Sequence, residues 1–484
     1  MTDTGESALT VRLATNTLVQ AVGSALASVI GFVTFVAVTR GLGPEAFGDF
    51  TAATVFLFIP VVLADVGLST AVLREISASP ERTEPAMRAS LPLRALISAV
   101  AVLAAVGVGL AMPFNDQTKV AILLSAVGSY FTLMTLSLVP VLQAQLKMAW
   151  AVGATLAGRL ATLGLTLAAL GIGLGFKSIV IAHVIGLAVT FLLHVFAVAL
   201  IVPLWPVIDV AYWRRLVAGS FVLGIAIALS LVYFRVDTVI LALLRSPEEV
   251  GFYGAAFKFI ELAVLIPAAV GISMFPPLAR FMATGDPRAT GLIQKTFDVL
   301  VAAAVPVMVV MVAYPEELLT LAAGSEYADG AVALQLLAPF ALFAFVNAVL
   351  WRVVLARERD RLLLAIAAGV LILNVGLNLV FIPEYGFKAA ALITAVSEAL
   401  ITIPIALAAR QEAGLPNLRY VPVIAVAGAA MTVAVLLFRE QAALGVIVSS
   451  GLYLAVLLLL PGTAREVMFA DLLPAAAGAV RRRR

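Results

Sequence analysis

Nine charged side chains lie inside long apolar runs: Asp65, Arg159, Arg235, Asp237, Lys258, Glu261, Asp298, Arg352 and Glu398. A charge at bilayer depth costs roughly 2.5 to 3.5 kcal/mol on insertion scales, so such groups face a wet cavity or a partner. Arg159, in AGRLATLGL, has apolar sequence on both sides and is the first candidate for an anion-binding cation. Its competing reading is an interhelical ion pair, with Asp65 as one available partner. Arg235 and Asp237, in LVYFRVDTVIL, are two apart and point to different helix faces, so each needs something else. Lys258 and Glu261 are three apart and can neutralise each other along a helix. Arg352 follows Trp351 and can snorkel. Asp298 and Glu398 fall near expected helix ends and receive no role.

A cavity holding Arg159, Arg235, Lys258 and Arg352 would suit an anionic headgroup such as a diphosphate, because guanidinium groups bond phosphate oxygens in bidentate fashion. The carboxylates Asp65, Asp237 and Glu261 supply either a site for a coupling Na⁺ or H⁺ or the counter-charge of the cations; both readings stand. With no cysteine and only His183 and His194, both in an apolar run, neither a metal site nor a cofactor is expected. Pro60 and Pro267 lie upstream of Gly67 and Gly271, and a proline removes a helical hydrogen bond, so these four positions read as hinges or as static kinks. Small residues at four-residue spacing, Gly23, Ala27 and Gly31, allow close helix contact in the first span.

The elements that must position these groups are membrane spans. Hydrophobic residues make up 63% of the 484 and charged residues 12%, and mean hydropathy is +1.11, outside the range of soluble domains. Apolar runs predict an all-α polytopic protein of about 14 transmembrane helices, near 17–39, 47–73, 90–112, 119–142, 148–172, 178–202, 215–244, 249–276, 295–322, 331–355, 361–382, 388–409, 419–438 and 441–461. No cleaved signal peptide is read at the amino terminus. The net charge of +3 reflects membrane orientation and not nucleic-acid binding. Alternate connections carry 21 basic residues on one side, including Arg74, Arg82, Arg88 and Arg94, against six on the other, which predicts both termini in the cytoplasm of a plasma (inner) membrane.

Two halves of the chain repeat. PEAFGDFTAA at 44–53 matches PEEVGFYGAA at 247–256; Val66-Gly67-Leu68-Ser69 matches Val270-Gly271-Ile272-Ser273; GFKSIVIAHVIG from Gly175 matches GFKAAALITAVS from Gly386. Six helices per copy is an even number, so the copies share one orientation, a construction usual in secondary transporters. The expected organisation is a cytoplasmic segment 1–16, a six-helix lobe 17–202, a linker 203–214, a second lobe 215–409, an accessory helix pair 419–461 and a basic cytoplasmic tail 462–484. The arginines at 481–484 would rest on anionic headgroups. No connection is long enough for a catalytic domain and no phosphate-binding loop is present, which excludes an ATPase or attached transferase and argues against an enzyme. A membrane-embedded glycan polymerase or ligase remains as an alternative.

The stretch RGLGPEAFGDFTAATVFLFIPVVLADVGLSTAVLREIS at 40–77 resembles the second-helix signature of polysaccharide flippases of the O-antigen and exopolysaccharide type. NVGLNLVFIPEYGFKAAALITAVSE at 374–398 resembles the eleventh and twelfth helices of the same family, which shares a superfamily with multidrug extruders and lipid II flippases. The resemblance implies a V-shaped pair of lobes, alternating access, and movement of a lipid-diphosphate-linked oligosaccharide to the outer leaflet, with membrane lipids and other polysaccharide-assembly proteins as partners. It also implies that cationic cavity residues hold diphosphate or acidic sugars. Lipid II flippases resemble one another in carrying arginines in the first helix; 17–39 here has none, which favours the glycan branch. A multidrug extruder, the alternative within transporters, should show acidic residues outweighing basic ones.

Overall fold

The computed structural model describes residues 3–65 and 67–460, and every regular element among them is helical. Val66 of the repeat, Arg465 and the arginines at 481–484 lie outside the described residues. The helices are α1 (Asp3–Asp65), α2 (Leu68–Ala78), α3 (Thr83–Ala111), α4 (Asp116–Ala144), α5 (Met148–Gly171), α6 (Phe176–Ala199), α7 (Val210–Tyr233), α8 (Val236–Leu244), α9 (Pro247–Ala263), α10 (Leu265–Thr284), α11 (Arg288–Ala313), α12 (Pro315–Ala323), α13 (Ala331–Leu355), α14 (Asp360–Tyr385), α15 (Phe387–Ala413), α16 (Val421–Leu437) and α17 (Ala442–Leu459).

Backbone chemistry explains where these helices break. Within α1, Gly43 takes φ 73° and ψ 173°, because Pro44 disfavours helical geometry in the residue before it and glycine alone accepts positive φ without strain. A second left-handed residue, Gly67 at φ 73°, separates α1 from α2. Between α9 and α10 the break falls at Val264; Pro267, three residues on, has no N–H to offer the carbonyl of Ala263. The α7 and α8 helices bend by 41° at Phe234 and Arg235.

Eleven helical runs are long and apolar enough to cross a membrane, and the bent α7 with α8 is a twelfth. Resolving α1 into two crossings at Gly43, and adding the 17-residue α16, brings the described spans to fourteen. Several boundaries differ from expectation: α1 starts at Asp3 and not at 17, α7 at Val210 and not at 215, and α10 runs on to Thr284. The second span does not end at 73: it breaks at Gly67 and runs on to Ala78. A connection expected from Arg74 to Ser90 is instead the end of α2, a 3-10 turn at Pro80–Arg82 and the start of α3. The span expected at 295–322 divides at Tyr314, where Pro315 starts α12.

Two compact units emerge, Met1–Gly254 with Ala367–Gly386, and Ala255–Ile366 with Phe387–Arg484. In the first, Met87, Leu138, Val141, Leu142 and Val198 form one core and Ala53, Leu57, Ala121, Ile122 and Val180 another. In the second, α16 and α17 belong to the core: Phe297, Met431 and Tyr453 pack together, and the Tyr453 hydroxyl donates to the Ala302 carbonyl at 2.6 Å. Large apolar side chains such as Leu103, Leu192, Ile372 and Leu436 are exposed, as in helices whose solvent is hydrocarbon.

Candidate functional site

Arg159 sits near the middle of α5, and small residues determine where it points. The α1 and α5 helices run parallel: Gly23 receives Val152, Gly31 receives Arg159 and Gly41 receives Leu170. A Cβ on Gly31 would lie 3.6 Å from Arg159 Nη1, so the guanidinium occupies space that glycine leaves open. On its neighbouring face α5 meets α6 through a reciprocal contact: a side chain on Gly158 would collide with Thr190, and one on Gly186 would collide with Thr162. Such small-residue seams let membrane helices approach closely and lock their rotation. The guanidinium also lies within electrostatic reach of His183, whose ring stands edge-on to Phe50 at 5.5 Å. Arg159 is exposed and, among the described residues, has no hydrogen bond or ion pair.

Arg235 is half-buried at the α7–α8 bend, its guanidinium carbon 5.9 Å from the Phe234 ring centroid and within electrostatic reach of Asp237 and Tyr253. Asp237 is buried and engaged: the Tyr253 hydroxyl donates to Oδ2 at 2.6 Å and the Thr238 amide to Oδ1 at 2.5 Å. Arg159, Arg235, Asp65 and Asp237 fall in the first unit, Lys258, Glu261 and Arg352 in the second. Lys258 forms an ion pair with Glu261 at 2.7 Å. Arg352 donates to the Ala348 carbonyl of its own helix at 2.7 Å, and its guanidinium fills the place a side chain on Gly271 would take.

Asp65 does not meet Arg159. It forms an ion pair with Arg94 at 2.6 Å, with Ser69 Oγ 2.6 Å from the same carboxylate oxygen. Arg94, expected in a cytoplasmic connection, lies within α3 and is buried. Gly67 packs its bare Cα against Ser220 and Gly224 of α7, and Pro60 lies inside α1 without interrupting it. Asp298 and Glu398 are not near helix ends: both lie well inside α11 and α15 and are buried. Gln294 donates to Asp298 at 3.0 Å, and Asn347 to Glu398 at 2.8 Å.

Sequence reading passed over Asp49, inside the first repeat motif. Its buried carboxylate accepts from Asn115 at 2.8 Å and from Thr118 at 2.5 Å, fastening α1 to the start of α4. The repeat motifs themselves meet. A side chain on Gly48 would collide with the Pro247 carbonyl, and one on Gly251 with the Pro44 carbonyl. Each glycine faces the other copy's proline, the reciprocity expected of a local two-fold relation. Outside the spans, the hydrogen bond from Arg288 holds the Asp286 carboxyl below the usual carboxylate range. Among the described residues no group of three or more His, Cys, Asp or Glu side chains could hold a metal ion.

Comparison with known proteins places this arrangement in context. The model of a family described as polysaccharide biosynthesis protein matches residues 13–282, and the MatE family model matches 223–380. A curated relative, the probable low-salt glycan biosynthesis flippase Agl15 of Haloferax volcanii, is 22% identical over 172 residues, 35% of this chain. That match spans 36% of the relative's length, about a third. Among solved structures, the lipid II flippase MurJ in an inward closed conformation superposes with a TM-score of 0.78 at 14% identity, over 94% of this chain and all of that one. An inward-facing multidrug resistance MATE transporter of the MOP superfamily gives 0.62 at 16% identity, over 80% of this chain and 94% of that one. At these identities the likeness is one of fold.

Proposed function

The chain belongs to the polysaccharide biosynthesis protein family, and from that premise we propose that it is a flippase carrying a lipid-diphosphate-linked oligosaccharide from the cytoplasmic to the outer leaflet. It is a multi-pass membrane protein. In this reading it resides in the plasma membrane with both termini cytoplasmic, is a transporter and not an enzyme, and serves cell-surface polysaccharide assembly. One observation carries the proposal: a guanidinium halfway along a span, exposed, turned toward glycine, and without a hydrogen-bonding or ionic partner among the described residues. An uncompensated cation at that depth is costly unless an anionic ligand or water meets it. A diphosphate supplies oxygens at the spacing guanidinium binds. Lys258 is already neutralised by Glu261, so the anion-binding role falls to Arg159 first and Arg235 second. Movement by alternating access, driven by an ion gradient, the membrane potential or the substrate's own gradient, completes the reading, and Asp65, Asp237 and Glu261 act as counter-charges within it.

The test is made in a strain depleted of the protein. Lipid-linked glycan should accumulate facing the cytoplasm while surface polysaccharide disappears, and the intact gene should restore export. Hydrogen bonds to charged groups contribute about 1.5 to 3 kcal/mol each, so Arg159→Ala with Arg235→Ala should slow export at least tenfold. Unchanged export by the double variant would sink the assignment of the site. Normal surface glycan with heightened sensitivity to cationic drugs would move the protein to multidrug export.

A further inference from the structure

A basic cluster outside the proposed transport site lies within the first unit, in a cavity of about 340 Å³ between α2, the 3-10 turn after it and α7. The α2 helix buries Leu68, Val72 and Ile76, a stripe at four-residue spacing, which turns Thr70, Ala71, Arg74 and Glu75 toward the cavity. Arg82 from the turn and Arg215 from α7 join them, so three guanidinium groups face one carboxylate. That carboxylate is occupied: Glu75 is 3.2 Å from Arg82 and accepts from the Tyr212 hydroxyl at 3.0 Å. Arg74 and Arg215 are exposed and, among the described residues, have no hydrogen bond or ion pair. The floor is the contact of Gly67 with Ser220 and Gly224.

The depth of this cavity follows from the segment that leads into α7. There Trp205 is 77% exposed and Ile208 76% exposed, yet the backbone is held: Arg88 Nε donates to the Trp205 carbonyl at 3.1 Å and the Val207 amide to the Arg88 carbonyl at 2.9 Å. Exposed tryptophan beside arginine is the composition of a membrane–water interface. Basic pockets between transmembrane helices at that level bind anionic lipid headgroups, and 340 Å³ accommodates a headgroup without a glycan chain.

We infer that the cavity between α2 and α7 is a second anion site, which takes the phosphoryl group of a membrane lipid between Arg74 and Arg215. A ligand there bridges α2 to α7 directly above Gly67, where the second span breaks. The inference does not depend on the transport reading, since it needs only a phosphoryl group at headgroup depth.

The test measures binding to the purified full-length protein by native mass spectrometry and by thermal shift. The probes are phosphatidylglycerol, farnesyl diphosphate and inorganic pyrophosphate. Arg74→Gln with Arg215→Gln should weaken lipid binding about thirtyfold. Arg214→Gln removes the same charge beside the cavity without lining it and should leave binding unchanged. Gly219→Leu provides a charge-neutral check: its Cβ would meet no atom within 4 Å, so leucine fills the cavity and should also weaken binding. Retention of phosphatidylglycerol alone assigns the pocket to bilayer lipid, and retention of farnesyl diphosphate alone to prenyl diphosphates. Pyrophosphate binding as tight as either lipid, or a folded double variant that binds like the original, overturns the inference.

Discussion

Asp65 and Arg94 show how a single residue's role turns on its partner. Arg94 is almost wholly buried, with a side-chain exposure of 4%, and its Nη1 has no hydrogen-bond partner. Removing Asp65 leaves a buried guanidinium without its counter-charge, a change that costs about 3 to 5 kcal/mol where it has been measured in other buried pairs. Asp65→Ala should therefore lower the melting temperature in detergent sharply, and Asp65→Leu combined with Arg94→Met should recover most of the loss, because replacing both charges leaves nothing uncompensated. A normal melting temperature for Asp65→Ala, together with lost Na⁺ or H⁺ dependence of export, would show that the carboxylate couples an ion instead. Arg159 stands at the opposite pole: its substitution should spare stability and reduce export, since it has no protein partner to lose among the described residues.

At the scale of elements, glycine determines how helices meet. Gly48 and Gly251 each let the other motif's proline carbonyl approach within reach of its Cα. A carbonyl belongs to the backbone and cannot swing aside as a long side chain would, so even one methyl group forces the α1 and α9 helices apart, at about 1 to 3 kcal/mol. Gly48→Ala should lower thermal stability, whereas Gly107→Ala in α3, where a Cβ meets nothing within 4 Å, should be neutral or stabilising. Both changes raise helix propensity equally, so their difference isolates the contact. Since Gly48 and Gly251 serve one crossing, the double variant should lose less than the sum of the singles; strict additivity would mean that the two contacts are independent. The α1–α5 seam works in the same way, and there the absent side chain at Gly31 makes room for the Arg159 guanidinium.

At the scale of the whole molecule, the charge asymmetry makes a directional statement that the absence of cysteine renders easy to test. The turn around Glu326 has acidic residues and no basic ones, while the end of α10 and the start of α11 carry Arg280 and Arg288. Both Glu326 and Arg288 are exposed. With single cysteines in this background, an impermeant maleimide should label Glu326→Cys in intact cells and should reach Arg288→Cys only after the membrane is opened. Labelling in the reverse order would invert the proposed topology and, with it, the direction assigned to transport.

The sequence by itself determined the class of protein, the run of fourteen spans, the doubled motifs and the family; of the four expected hinge positions, Gly67 breaks a helix, while Pro60 and Gly271 lie inside continuous ones. Each of these is written in local hydropathy or in residues close together in the chain, where helix physics acts over three or four positions. Even the Lys258–Glu261 pair was legible, because its partners are three residues apart. Only the tertiary structure decided which charges meet across the chain. Asp65 pairs with Arg94 and not with Arg159; Asp49 holds the start of α4; Glu398 binds Asn347; Arg74 and Arg215 converge on one cavity. These pairings depend on helix rotation and on which seams close most tightly. Rotation is set by small residues such as Gly31, Gly158 and Gly186, whose partners are far away in sequence. Spacing along the chain therefore showed that charges were present within the spans, and three-dimensional contact showed which of them hold the helices together.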